Sequence, residues 1–179
     1  MRIIVLSGSP LALPALEHLF SYKYLSALIC PEESIATEVA PLQNWASRKE
    51  VPCWQANQQT LEKDVTELIR ETNPDLILVF GFPYSLPHQL LQDVKFGGWN
   101  VHFSLQQQNK GTITIHQLVQ DKSEQVLQQL SLFLLPESQY GTALHQLSHL
   151  SVTLLNASLV KMGLEPKTKS GKHNSWAIA

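Results

Sequence analysis

Two polar side chains set two residues apart, Asn100 and His102, carry the clearest chemical signal in the chain. They lie in Gly97-Gly98-Trp99-Asn100-Val101-His102-Phe103-Ser104-Leu105, a short apolar run behind two glycines. Strand side chains alternate, so positions two apart share a face. Asn100 and His102 are therefore expected on one face, with Trp99, Val101 and Phe103 on the other. An imidazole can take or give a proton near neutral pH, and an amide beside it can donate to a developing oxyanion. The same spacing also fits a half-buried edge strand whose Asn and His are simply hydrogen-bonded.

Two further stretches have the composition of ligand contacts. Gly81-Phe82-Pro83-Tyr84-Ser85-Leu86-Pro87 follows the most apolar run of the chain, Leu76 to Phe80. Its prolines and aromatic rings make a stiff loop suited to a flat ring, or a rigid connection to the next helix. Ser7-Gly8-Ser9-Pro10 joins a first strand to a first helix, where small residues let a ligand approach the backbone. It lacks a full G-x-G-x-x-G, so a dinucleotide reading is weak. His145 and His149 stand four apart on the last helix, but an i,i+4 pair without a third ligand is not a metal site, and none is assigned.

The elements that position these residues follow from periodicity. Ile3–Leu6 reads as a buried parallel strand, and Leu13, Leu16, Leu19 and Phe20 as a helix face. Strands are expected over 24–30 and 51–54, separated by a polar loop over 32–38 and a helix over 41–49. A helix over 59–71 has a core stripe of Leu61, Val65, Leu68 and Ile69, with Thr60 as its cap and Asn73-Pro74 as its stop. Asp75–Phe80 is expected to be the central strand, and 89–94 a helix. Strands over 112–118 and 125–135 form an expected antiparallel pair at the sheet edge. A helix over 142–161 buries Leu144, Leu147, Leu150, Leu154, Leu155 and Leu159.

Alternating strands and helices over 1–105 predict a doubly wound, mostly parallel sheet flanked by helices, with an antiparallel edge near the C-terminus. The domain is expected over 1–162, followed by a polar, mobile tail over 163–179. The chain has 179 residues, 44% hydrophobic and 16% charged, which is enough for one globular core. A net charge of -2 and the absence of a long basic run argue against nucleic acid as a partner. No apolar stretch reaches membrane-spanning length, and the first six residues are too short for a signal peptide, so no membrane partner is expected. Cys30 and Cys53 read as small core residues, and a cytoplasmic location fits this pattern.

In order along the chain, several segments resemble the formyltransferases that use 10-formyltetrahydrofolate. Leu6-Ser7-Gly8-Ser9-Pro10 with Leu13, Pro14, Leu16 and Leu19 is similar to the family's opening strand, turn and helix. Asn73-Pro74-Asp75-Leu76-Ile77-Leu78-Val79 resembles its central strand, and Phe80–Pro87 the loop that walls the folate pocket. Asn100-Val101-His102-Phe103-Ser104-Leu105 resembles its N-x-H-x-S-L active-site strand, and Thr112-Ile113-Thr114-Ile115-His116 the strand after it. The resemblance covers residues 1–160 and implies a Rossmann-like formyltransferase fold.

It further implies formyl transfer from 10-formyltetrahydrofolate to a small-molecule amine, with an amino sugar as the favoured acceptor. Asn100 would stabilise the oxyanion, His102 would assist it and move a proton, and Phe82, Pro83, Tyr84 and Leu86 would line the folate pocket. The family's third catalytic residue is an aspartate in a D-x-G-like loop. Here Asp121 is the nearest carboxylate, displaced by about two positions, where one position already turns a side chain to the other face. Glu124 is the other candidate. The loop and short helix that usually follow the active-site strand are also missing: residues 106–111 lead straight to Thr112. That departure keeps open a ligand-binding relative without turnover. The turn at Gly8-Ser9-Pro10 is nearer the methionyl-tRNA and sugar-nucleotide branch than the glycinamide ribonucleotide branch. The tRNA enzymes carry a further domain and a basic surface that this sequence does not show, so the sugar-amine branch is preferred. A homo-oligomer is compatible with all of this.

Overall fold

The computed structural model describes residues 1–32, 36–106, 110–119, 124–134 and 140–163. Its centre is a seven-stranded sheet in the order β3-β2-β1-β4-β5-β6-β7. The strands are β1 (Ile3–Ser7), β2 (Leu25–Pro31), β3 (Cys53–Ala56), β4 (Leu76–Phe80), β5 (Gly98–Gln106), β6 (Lys110–Leu118) and β7 (Glu124–Phe133). The helices are α1 (Leu13–Ser21), α2 (Ala36–Arg48), α3 (Leu61–Thr72), α4 (Gln89–Gln92) and α5 (Tyr140–Lys161), with a 3-10 turn at Pro10–Ala12. β1 to β5 pair in parallel, and β5–β6–β7 form two antiparallel pairs. The expected mostly parallel, Rossmann-like sheet with an antiparallel edge is the fold observed.

β1 and β4 are buried along their whole length, because helices cover both faces of the parallel half. On one face α1, α2 and α5 close over Val5, Leu28, Leu78, Phe80 and Trp99. On the other, α3 and α4 close over Ile4, Leu6, Ile77 and Val79. The expected central strand, β4, lies in the middle of the sheet. α3 ends where Asn73 takes a left-handed conformation (φ 44°), one that asparagine tolerates and that the following Pro74 makes a firm stop.

Several local expectations need correction. α2 begins at Ala36, not Pro41, so Pro41 lies inside the helix; the carbonyl it leaves without a donor belongs to Thr37, an exposed residue. β3 lies two residues later than expected, pairing Cys53–Ala56 with Leu28–Pro31. Thr60 does not cap α3 through its side chain. Asn57 does that work: its Oδ1 accepts from the backbone N–H groups of Gln59 (2.9 Å) and Thr60 (3.0 Å). In α5, Leu144 and Leu150 are only partly buried, while Ser148, Ser151 and Ser158 are buried. Each serine is satisfied by a main-chain carbonyl, of Leu11, Ser148 and Leu154 respectively, which lets a polar side chain sit in the core.

Candidate active-site cleft

β5 is not an edge strand. It runs between β4 and β6, which corrects the alternative of a half-buried edge. Trp99 and Val101 are buried in the core under α5, and Phe103 packs against it. Asn100 is half-buried and His102 exposed. The alternation expected from the sequence is therefore present. The register extends it: Asn100 stands opposite His116, His102 opposite Thr114, and Ser104 opposite Thr112. Directly opposed residues of an antiparallel pair share a face, so these six side-chain positions form one polar strip across β5 and β6. Among the described residues neither Asn100 nor His102 has a side-chain hydrogen-bond partner, which leaves both free for a ligand.

A cleft of about 370 Å³ opens at the carboxyl ends of β4 and β5. Asn100 and His102 line it beside Phe80, Gly81 and Phe82 from the end of β4. Ser9 and Leu11 enter from the first turn, and Tyr140 and Leu144 from the start of α5. A bond from Ser148 Oγ to the Leu11 carbonyl (2.5 Å) ties α5 to that turn and so fixes the two walls relative to each other. α5 also presses closely on β6: a Cβ on Gly111 would lie 3.0 Å from a Leu147 methyl.

The neighbouring crevice, between the ends of β1 and β4, is filled by protein. A Cβ on Gly8 would stand 2.9 Å from Pro31 Cγ and 3.2 Å from the Gly81 carbonyl oxygen. Gly81 has φ +52°, and a Cβ there would meet Ser9 Cβ at 3.2 Å. Small residues in this turn thus serve close packing of three strand ends, and the open volume is shifted towards β5. The turn's hydroxyls are also engaged: Ser7 Oγ donates to the Ser9 carbonyl and accepts from the Ser9 N–H, and Ser9 Oγ accepts from the Leu11 N–H.

Of the residues expected to hold a flat ring, Phe82 lines the cleft. Tyr84 and Leu86 pack against the core under α3 and α4, and Pro83 is exposed. Phe82 and Tyr84 meet edge to face, with centroids 5.4 Å apart. The Tyr84 hydroxyl is enclosed and has no partner among the described residues. Asp121 lies outside the described residues, and of Glu124 the backbone alone is described, as the first residue of β7. Sequence reasoning missed Tyr140 and Leu144, which follow a polar stretch and reach the cleft through the packing of α5. His145 and His149 meet at a tilt on the exposed side of α5 with ring centroids 4.7 Å apart, and no cluster of three metal-binding residues occurs among the described residues. Cys30 and Cys53 are free thiols on adjacent strands. Contact with Cys53, together with burial, pushes the Cys30 thiol well above its ordinary range, while the bond from Cys30 holds Cys53 down.

A doubly wound sheet with an antiparallel flank, and an Asn-x-His strand facing a cleft at its carboxyl edge, define a Rossmann-like α/β protein. Within that class, the formyl transferase family model matches residues 23–126, more than half of the chain. The chain belongs to the formyl transferase family. Among curated relatives, it is 23% identical over 124 residues to the methionyl-tRNA formyltransferase of Rickettsia massiliae, covering 66% of this chain and 40% of that protein. It is 27% identical over 170 residues to the enzyme of the same name from Staphylococcus epidermidis, covering 78% of this chain and 54% of that protein. The chain thus spans about half the length of such relatives or less. Phosphoribosylglycinamide formyltransferase from Streptococcus pneumoniae shares the fold, with a TM-score of 0.69 at 13% identity, over 90% of this chain and 98% of the other. The corresponding protein of Anaplasma phagocytophilum gives 0.67 at 21% identity, over 90% and 88%.

Proposed function

We propose that this chain transfers a formyl group from 10-formyltetrahydrofolate to a small-molecule amine, with amino sugars as the acceptor class. The observation that carries the reading is the pair Asn100 and His102, unpartnered on one face of β5 and lining the cleft beside Phe82. When bound, 10-formyltetrahydrofolate supplies an activated formyl carbon on nitrogen. The residues present fit such a group. The cleft is within the range of small-molecule sites, and Phe82 offers a ring face.

The Asn100 amide N–H donates to the oxygen that gains charge as an amine adds to the formyl carbon, the largest single contribution a fixed donor makes. A ring nitrogen of His102 would accept the proton that the amine gives up and return it to the folate nitrogen as the bond between that nitrogen and the formyl carbon breaks. Leu11, Phe103 and Leu144 form an apolar wall of the cleft. Asp121 is proposed as the carboxylate that completes proton transfer. A net charge of -2 favours a small amine over a tRNA acceptor. Residues 1–162 are taken as the catalytic unit, in the cytoplasm.

A second reading, a ligand-binding relative without turnover, is favoured by one feature. Gln106 pairs directly with Lys110, so β5 and β6 form a tight hairpin with no helix between them. The test is a thermal melt with a tetrahydrofolate analogue, followed by a formyl-transfer assay on a panel of amino sugars and other amines. At about 100 times its dissociation constant, the analogue stabilises the chain by roughly 2.7 kcal/mol, and Phe82→Ala weakens that effect. Stabilisation with formyl transfer supports the enzyme. Stabilisation without transfer to any amine supports the second reading. No stabilisation of a cooperatively folding chain defeats both.

A further inference from the structure

The two edges of the sheet are guarded very differently. β3 is four residues long and follows Pro52, a short edge that offers little to pair with. β7 is ten residues long and contains no lysine, arginine, proline or glycine. Its inner side pairs with β6 from end to end, with one break in register at Leu127. Among the described residues no strand pairs with its outer side. A long, uncharged edge carries a row of backbone donors and acceptors, which natural sheets either blunt or use. Two exposed apolar side chains lie on this same strand, Val126 (53% exposed) and Phe133 (80% exposed).

We infer that β7 pairs antiparallel with β7 of a second copy of this chain, joining two sheets across a two-fold axis. Self-pairing is favoured by the distribution of charge. Residues 125–133 carry none, so no like charges are opposed along the shared ladder. The strand's one carboxylate residue, Glu124, stands at its start, and Lys110 pairs with Phe133 at its end. An antiparallel partner brings the Glu124 end of one copy to the Lys110 and Phe133 end of the other. A parallel partner would set Glu124 against Glu124. A two-fold axis through Leu130 also matches faces over 128–132: Leu130, packed on the core, meets its own copy, and Gln129 meets Ser131 on the other face. The cleft is lined from β5, two strands further in, and stays open.

The test is sedimentation equilibrium of the full chain from about 1 to about 100 μM, since a dimer's population depends on concentration. It is run beside Gln125→Lys/Gln129→Lys, which changes two exposed side chains of β7. The expected result is a dimer whose dissociation constant rises about tenfold or more in the double variant, because edge lysines oppose strand pairing. Circular dichroism and melting of the variant at low concentration remain those of the parent chain. Hydrogen exchange provides a second readout that needs no variant: amides of 124–133 lose protection on dilution. A monomer throughout the range overturns the inference, as does a dimer indifferent to the lysines. Protection of β7 that survives dilution of a monomer also overturns it, and points to residues 164–179 of the same chain as the occupant.

Discussion

The parallel and antiparallel halves of the sheet divide the work of this molecule. β1 and β4 have helices on both faces, and every residue of both strands is buried. β5 and β6 carry α5 on one face and a strip of Asn, His, Ser and Thr on the other. A strand buried on both sides has no position from which a polar group can reach a substrate. A strand covered on one side supplies such a position at every second residue. The cleft lies where the two kinds meet, with β4 contributing its end and β5 its exposed face.

If this division is right, substitutions in the parallel half cost stability and those on the polar strip cost chemistry. Leu78→Ala, at a fully buried position of β4, should destabilise the chain by about 3–5 kcal/mol through the cavity it leaves. Denaturant melts check this, and a loss no larger than that of a surface variant would break the comparison. Asn100→Ala should lower the rate of formyl transfer by about 10²–10³-fold, as for loss of one oxyanion donor, while the melting temperature stays near that of the parent chain. A variant that unfolds instead would make Asn100 a structural residue.

At the junction, Gly8→Ala should cost about 1–3 kcal/mol, because its methyl meets the Pro31 ring and the Gly81 carbonyl, neither of which moves freely. The smallest effect belongs to the surface of the parallel half. Glu17 accepts from Lys49 Nζ and Trp45 Nε1, both at 2.8 Å, and ties α1 to α2. These bonds, that of Lys49 foremost, hold its carboxyl below the usual range. The lowered value means that the stabilisation is present above the unfolded-state pKa and is lost as pH falls through the folded-state one. With half of the side chain exposed, Glu17→Gln should cost less than about 1 kcal/mol at neutral pH. Melts of both proteins between neutral and acid pH should converge at the acid end.

Much of this was legible in the chain because it depends on short-range pattern. The run Leu76–Phe80 has no polar position, so it had to be a central strand. The alternation through Trp99–Phe103 placed Asn100 and His102 together on one face before any contact was known. Boundaries read less well where a competing signal was local. Pro41 looked like a helix start, yet α2 forms one turn earlier because an exposed carbonyl can be hydrated. Thr60 looked like a cap, but the side chain that accepts at this end is that of Asn57, which takes the N–H groups of Gln59 and of Thr60 itself.

Sequence by itself determined the strand order of chemistry: which residues can donate, accept or move a proton, and which elements present them. Period-two and period-3.6 patterns are local, so they survive without coordinates. Tertiary structure alone decided what surrounds that pair. Tyr140 and Leu144 join Asn100 only because α5 crosses the sheet and Ser148 fastens it to Leu11. Phe82 and Tyr84 both pack against the core from one stiff aromatic loop, yet Phe82 alone of the two also lines the cleft. These outcomes rest on contacts between residues far apart in the chain, whose geometry is fixed by close packing of the whole domain and by no local pattern.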